Sequence, residues 1–171
     1  MNEPLIPEWI DRPEALQAIV DQLNDSSRIA VDTEADGFHA YRPKLCLIQV
    51  AWERQDQSPG VALIDAQALK GALTPFTDLL AASSIEKIIH GADYDIRLLW
   101  RDAGARVETL FDTQIAARAV GQTRTGLAAL AEEYAGVRLD KSQQTIDWSS
   151  RPLPVRALDY AALDVVCLFP V

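Results

Sequence analysis

Two periods of apolar residues divide the chain. Leu16, Ile19, Val20 and Leu23 recur at three and four, and this single-faced stripe predicts a helix over residues 13–23. Asp11 or Arg12 stands at its start, and Pro13 suits the first turn. Shorter apolar runs then follow at 28–34, 45–52 and 61–65, rich in Val, Ile and Leu and bounded by polar segments. A polar loop over 35–43, with Gly37 and Pro43, separates the first two runs, and a turn of Gln, Ser, Pro and Gly separates the second two. Three strands with short connections predict an antiparallel meander.

The pattern changes after residue 65. Thr74 reads as a cap and Pro75 as the first position of a helix reaching about Ala82. A fourth strand is expected at 87–90, a helix at 93–103 and a short fifth strand at 106–110. Helices at 112–120 and 126–135, the latter carrying Leu127, Leu130 and Tyr134, precede a polar stretch from Arg138 to Pro152. A last helix begins near Pro154. A meander followed by alternating helix and strand implies an α/β fold: a mixed sheet, antiparallel then parallel, with helices on its faces. No internal repeat or linker interrupts residues 1–171, so one domain is expected.

Composition narrows the function. Apolar residues make up 49% of the chain and charged residues 24%, the balance of a soluble globular protein. The N-terminus lacks the basic and apolar regions of a leader, and no stretch approaches the roughly 20 apolar residues of a membrane span. Cys46 and Cys167 are isolated, without CxxC spacing, and read as buried reduced thiols. A cytoplasmic protein without membrane partners is expected. The net charge of −9 excludes a generic basic nucleic-acid binder, but not an enzyme whose metal ions meet the phosphate.

Candidate chemistry begins at Asp32-Thr33-Glu34, where the first apolar strand ends in two acids one residue apart. Side chains alternate along a strand, so both carboxylates point the same way. At about 5 Å and an effective dielectric near 20 their repulsion is roughly 3 kcal/mol, and a hard cation would reverse its sign. The plainer reading is a strand end with both acids in water. Further acids follow in His90-Gly91-Ala92-Asp93-Tyr94-Asp95, at a strand end of the kind that holds ligands in α/β sheets. Asp95 borders the stripe of Ala92, Ile96 and Leu99, whereas Asp93 flanks its other edge and could cap the helix; spacing leaves the two open. His90 reads as a hydrogen-bonded structural residue before a ligand. In the final helix Tyr160 and Asp164 are four apart, on a face shared with Ala157, Ala161 and Leu168, while Asp159 reads as solvated.

Together these segments resemble the DEDD superfamily of 3′–5′ exonucleases, tyrosine subgroup, and within it ribonuclease D. Asp32-Thr33-Glu34 with Leu45-Cys46-Leu47-Ile48-Gln49-Val50 matches the first motif, and His90 to Ile96 the second. Tyr160-Ala161-Ala162-Leu163-Asp164 matches the third, a Y-x-x-x-D. Phe111 to Ala116 and Asp147 to Leu153 resemble ribonuclease D segments as well, so the likeness spans about residues 28–169.

The resemblance implies a ribonuclease H-like fold and two divalent ions, Mg²⁺ or Mn²⁺, held by Asp32, Glu34, Asp95 and Asp164. It selects Asp95 over Asp93 and makes Tyr160 the residue that orients the attacking water. The implied reaction is stepwise hydrolysis from single-stranded 3′ ends, of RNA in preference to DNA, releasing nucleoside 5′-monophosphates. The rivals are a nucleic-acid-binding or assembly module of the same fold with weak or no catalysis, and a DNA-directed exonuclease. Ribonuclease D also carries helical C-terminal domains that grip nucleic acid. This sequence ends seven residues after Asp164 and contains none of them, so it is expected to be either the catalytic portion of a longer protein or a compact enzyme with weak substrate grip. Arg42, Lys44, Lys141, Arg151 and Arg156 are the basic residues near the motifs that could meet phosphates, although each taken singly reads as solvated surface charge.

Overall fold

Alternation along the strands decides the architecture. A computed structural model describes residues 5–37, 41–54, 56 and 58–171, with Lys141 described by its backbone alone. The middle of the expected loop over 35–43, parts of the following Gln-rich turn and the first four residues lie outside the described residues.

Six strands form one mixed sheet in the order β1-β4-β3-β2-β5-β6. Strands β2 (Arg28–Ala35), β3 (Leu45–Glu53) and β4 (Pro59–Asp65) are the expected antiparallel meander. Strand β5 (Glu86–Ile89) lies parallel to β2, and β6 (Leu110–Asp112) parallel to β5. Strand β1 (Glu8–Ile10) pairs in parallel with β4. It was not foreseen, because three residues carry no readable period and their pairing is entirely tertiary.

Helices cover both faces. Ile29, Val31, Ile48, Val50 and Ile64 share a core with α1 (Pro13–Leu23), α2 (Thr74–Ala81) and α3 (Asp93–Ala103). Ala30, Leu47, Ala51, Val61 and Leu63 point the other way, into a second core with Trp148 and α6 (Val155–Val166). Every residue of β3 from Leu45 to Trp52 is buried, which is why that segment reads as a continuous apolar run and not an alternating one.

Three local expectations are corrected. Thr74 lies inside α2 and makes no capping bond with its side chain; Leu73 occupies the cap position. The fifth strand begins at Leu110, not Arg106, because Glu108 N–H bonds Leu80 O and Thr109 turns the chain through φ 52°. The helix expected over 126–135 divides into α5 (Leu127–Leu130) and a π-helical turn at Ala131–Ala135, which Gly136 ends in the left-handed region. Helix α4 (Thr113–Ala119) completes the set.

Candidate active site

The end of β2 feeds one side of the sheet with acid. Ala30 belongs to the core beneath α6, and by alternation Asp32 and Glu34 point to that side. The β2–β3 ladder slips between Glu34 and Ala35, so regular pairing ends immediately after the second acid. Helix α6 packs across β2, β3 and β4 and buries Ala157, Tyr160, Ala161 and Asp164 against them. A carboxylate oxygen each from Asp32, Glu34 and Asp164 consequently lies within 4.8 Å of the others.

Asp95 approaches differently. It is buried in the first turn of α3, and Thr33 Oγ1 donates a hydrogen bond to its Oδ1. Thr33 faces away from Asp32 and Glu34 along the strand, so Asp95 sits outside the tight group of three. Its charge still acts on both Asp32 and Glu34. Asp93 is 80% exposed and ion-paired with Arg97 one turn on. The two acids that spacing left open thus divide by burial.

This concentration of carboxylates is costly. Burial, then the charges of Asp95 and Asp164, hold Asp32 well above the ordinary carboxylate range. Burial pushes Glu34 up to about 10, reinforced by Asp32, Asp164 and Asp95. Burial raises Asp164 to about 7, offset by a hydrogen bond from Tyr160, and raises Asp95 to about 6 against the opposing Thr33 bond. Burial also raises the Tyr160 phenol, helped by the Asp164 charge, so the hydroxyl stays protonated and donates. Asp164 Oδ1 is buried without a hydrogen-bond partner among the described residues. Several half-buried oxygens with one unpartnered suit a hard divalent cation, which favours carboxylate oxygen.

Neighbouring residues hold the frame. Asp112 caps α4 by accepting from Gln114 N–H and Ile115 N–H, and it also accepts from Gly91 N–H at 3.0 Å and Ala92 N–H at 2.9 Å. Those last bonds fix the turn from which Asp95 projects. His90 Nδ1 lies 2.9 Å from Thr113 Oγ1, and burial lowers its pKa: it is the structural histidine expected. Asp159 is exposed. Thr33, Asp112 and Gln144, whose side chain bonds the Tyr160 hydroxyl, were not picked out as site neighbours from sequence. No spacing signals a contact made across elements, although Asp112 does lie in a segment with family likeness.

The basic residues separate as well. Arg151, an exposed residue, has its guanidinium committed within the protein: it is bonded to Asp65 at 2.6 and 3.0 Å and to the carbonyls of Cys46, Trp148 and Ser150. Arg42 and Arg156 are exposed, and the Lys141 side chain lies outside the described residues. Lys44, also exposed, lines a cleft of about 810 Å³ with Asp36, Lys70, Arg101 and Asp102. That cleft is not the carboxylate cluster, but Asp36 places its edge two residues beyond Glu34. Cys46 and Cys167 are buried free thiols.

A family model described as 3′–5′ exonuclease matches residues 7–171. The chain belongs to the DEDD family of 3′–5′ exonucleases, as a ribonuclease D-like domain. It is 40% identical over 160 residues to ribonuclease D of Zymomonas mobilis, covering 91% of this chain and 40% of the relative. The crystal structure of Escherichia coli RNase D, described as an exoribonuclease involved in structured RNA processing, superposes with TM-score 0.85 at 34% identity. That match covers 99% of this chain and 43% of the other. The catalytic core of RRP6 from Trypanosoma brucei, a C496S mutant, superposes with TM-score 0.88 at 30% identity over 96% of this chain and 44% of that one. The fold of this DEDD-family domain is ribonuclease H-like, as the sequence motifs implied. The chain spans about two fifths of the length of the ribonuclease D relatives it matches. No helix among the described residues is long and apolar enough to cross a membrane.

Proposed function

We propose that this domain is a metal-dependent 3′–5′ exonuclease acting on single-stranded 3′ ends, of RNA in preference to DNA, and releasing nucleoside 5′-monophosphates. The convergence of Asp32, Glu34 and Asp164 within 4.8 Å carries the reading. These three, with Asp95, would hold two divalent ions, Mg²⁺ or Mn²⁺. When bound, such ions lower the pKa of an attacking water and neutralise charge on the scissile phosphate and the leaving 3′ oxygen. The protein supplies the rest. Asp32 and Glu34 present oxygens from a rigid strand, and Asp164 closes the site from α6. Tyr160 directs its protonated hydroxyl beside Asp164 and orients water by hydrogen bonding, not by taking its proton. The exposed Lys44 and Lys70 of the adjoining cleft offer cations to a phosphate chain leaving the site. The RNA preference follows the Escherichia coli relative, an exoribonuclease. A single catalytic domain working in the cytoplasm, where buried thiols stay reduced, completes the reading.

The test is a 5′-labelled single-stranded RNA and the matching DNA incubated with Mn²⁺, Mg²⁺ or EDTA. A metal-dependent ladder shortening from the 3′ end is expected, faster on RNA. No cleavage of either by folded, metal-supplied protein would overturn the proposal.

Two variants refine the roles. Tyr160→Phe should slow hydrolysis by about 10²-fold, the usual cost of a misplaced reactant, while Mn²⁺ binding measured by calorimetry stays intact. An unchanged rate removes Tyr160 from water orientation. Asp95→Asn should reduce initial rates by about 10²-fold or more, as loss of an electrostatic group in a dry site does. Exposed Asp93→Asn should stay within about twofold, because surface substitutions are usually close to neutral. The reverse ranking would reassign the second motif.

A further inference from the structure

Strand β3 places Gln49 in an unusual position. Leu47 and Ala51, its neighbours on the same strand face, belong to the core under α6, as does its β4 partner Leu63. Its β2 partner is Asp32. Directly opposed residues on antiparallel strands have Cβ atoms about 4.5–5.5 Å apart, so the Gln49 side chain rises beside the Asp32 carboxylate. Gln49 is 0% exposed, and neither Oε1 nor Nε2 has a hydrogen-bond partner among the described residues.

A buried amide without bonds is destabilising, and Leu or Met would fill the same space without that cost. The location is specific. The unpartnered buried side-chain atoms among the described residues are these two on Gln49, Oδ1 of Asp164, and Nε1 of Trp148, whose ring stands 6.3 Å from that of Tyr160. Trp148 and Tyr160 belong to the core beneath α6, Asp164 is buried on α6 itself, and Gln49 is the β3 residue opposite Asp32.

We propose that Gln49 is a positioning residue for the carboxylate cluster, its unpartnered amide placed opposite Asp32 to donate to that acid once it is ionised and holds metal. The proposal rests on the metal-holding reading of those acids. Its chemistry follows from charge. Carboxylates that hold a cation are ionised and accept hydrogen bonds, so they need a donor beside them. A lysine or arginine there would repel the cation, and a further acid would add to the crowding. A neutral amide donates without either effect.

The experiment measures Mn²⁺ binding by titration calorimetry for the wild type, Gln49→Met and Gln49→Leu, with Asp164→Asn as control. Metal-free melting temperatures are recorded alongside. Both Gln49 variants should melt at or above the wild-type temperature without metal, yet bind Mn²⁺ about tenfold or more weakly, the range seen when groups behind metal ligands are removed. The Mn²⁺ concentration giving half-maximal hydrolysis should rise in step. Wild-type Mn²⁺ affinity in both variants overturns the assignment alone. Metal-free melting well below wild type in both makes Gln49 a packing residue and overturns it too. A wild type that binds no Mn²⁺ overturns the metal reading and this assignment with it.

Discussion

Asp164→Asn will cut hydrolysis from a free 3′ end by at least about 10³-fold, the scale on which a transition state loses a key charge-stabilising group. The same variant will melt at a higher temperature than wild type when both are free of metal. Asp164 is buried among Asp32 and Glu34, and the amide keeps its shape while removing one mutually repelling charge. The gain should be larger at pH 8 than at pH 5, because a group raised to about 7 is mostly ionised only at the higher value. Activity on a labelled oligonucleotide and a pair of thermal melts check both halves. Near wild-type turnover would remove Asp164 from the metal site, and lowered metal-free stability would mean the cluster is not strained by charge.

Metal and proton should compete for the same oxygens. Folding raises Asp95 to about 6, Asp164 to about 7 and Glu34 to about 10, above their ordinary values near 4. For a carboxylate raised on folding, the native state binds more protons than the unfolded state. The stabilisation is therefore fully present below the unfolded pKa and is lost as pH rises through the folded one. The metal-free protein should lose stability between about pH 4 and pH 10: all three acids contribute from the low end, Asp95 until about pH 6, Asp164 until about pH 7 and Glu34 until about pH 10. Between pH 5 and pH 8 its melting temperature should fall by about 5 °C or more, given that 1 kcal/mol shifts a domain of this size by about 2–4 °C. Saturating Mn²⁺ should reverse the trend, since it binds the deprotonated acids, and its stabilising effect should grow with pH. Melts across that range with Mn²⁺ and with EDTA make the comparison. A metal-free profile rising from pH 5 to pH 8 would contradict the electrostatic account.

Local order was readable where the chain's own geometry sets it. The stripe Leu16, Ile19, Val20, Leu23 fixes a helix whose bounds are Pro13–Leu23, and the stripe around Ile96 and Leu99 one that runs Asp93–Ala103. One intervening residue in Asp32-Thr33-Glu34 is enough to put two carboxylates on one face of a strand, and four positions put Tyr160 above Asp164 on α6. Strand β1 and the late start of β6 were not readable, because pairing with β4 and the Glu108–Leu80 bond are made between distant segments.

The same division holds at the candidate site. Periodicity determined which acids could face inward together within each element, and the order of the motifs indicated the family. Tertiary structure alone decided how far apart those acids stand. It brought Asp164 to within 4.8 Å of Asp32 and Glu34, placed Asp95 behind Thr33, turned Asp93 to solvent and tied Arg151 to Asp65. It also left Gln49 opposite Asp32 without a hydrogen-bond partner for its amide among the described residues. The physical reason is that helix and strand periods fix direction within one element, whereas distances between elements depend on how the sheet twists and where α6 lies across it.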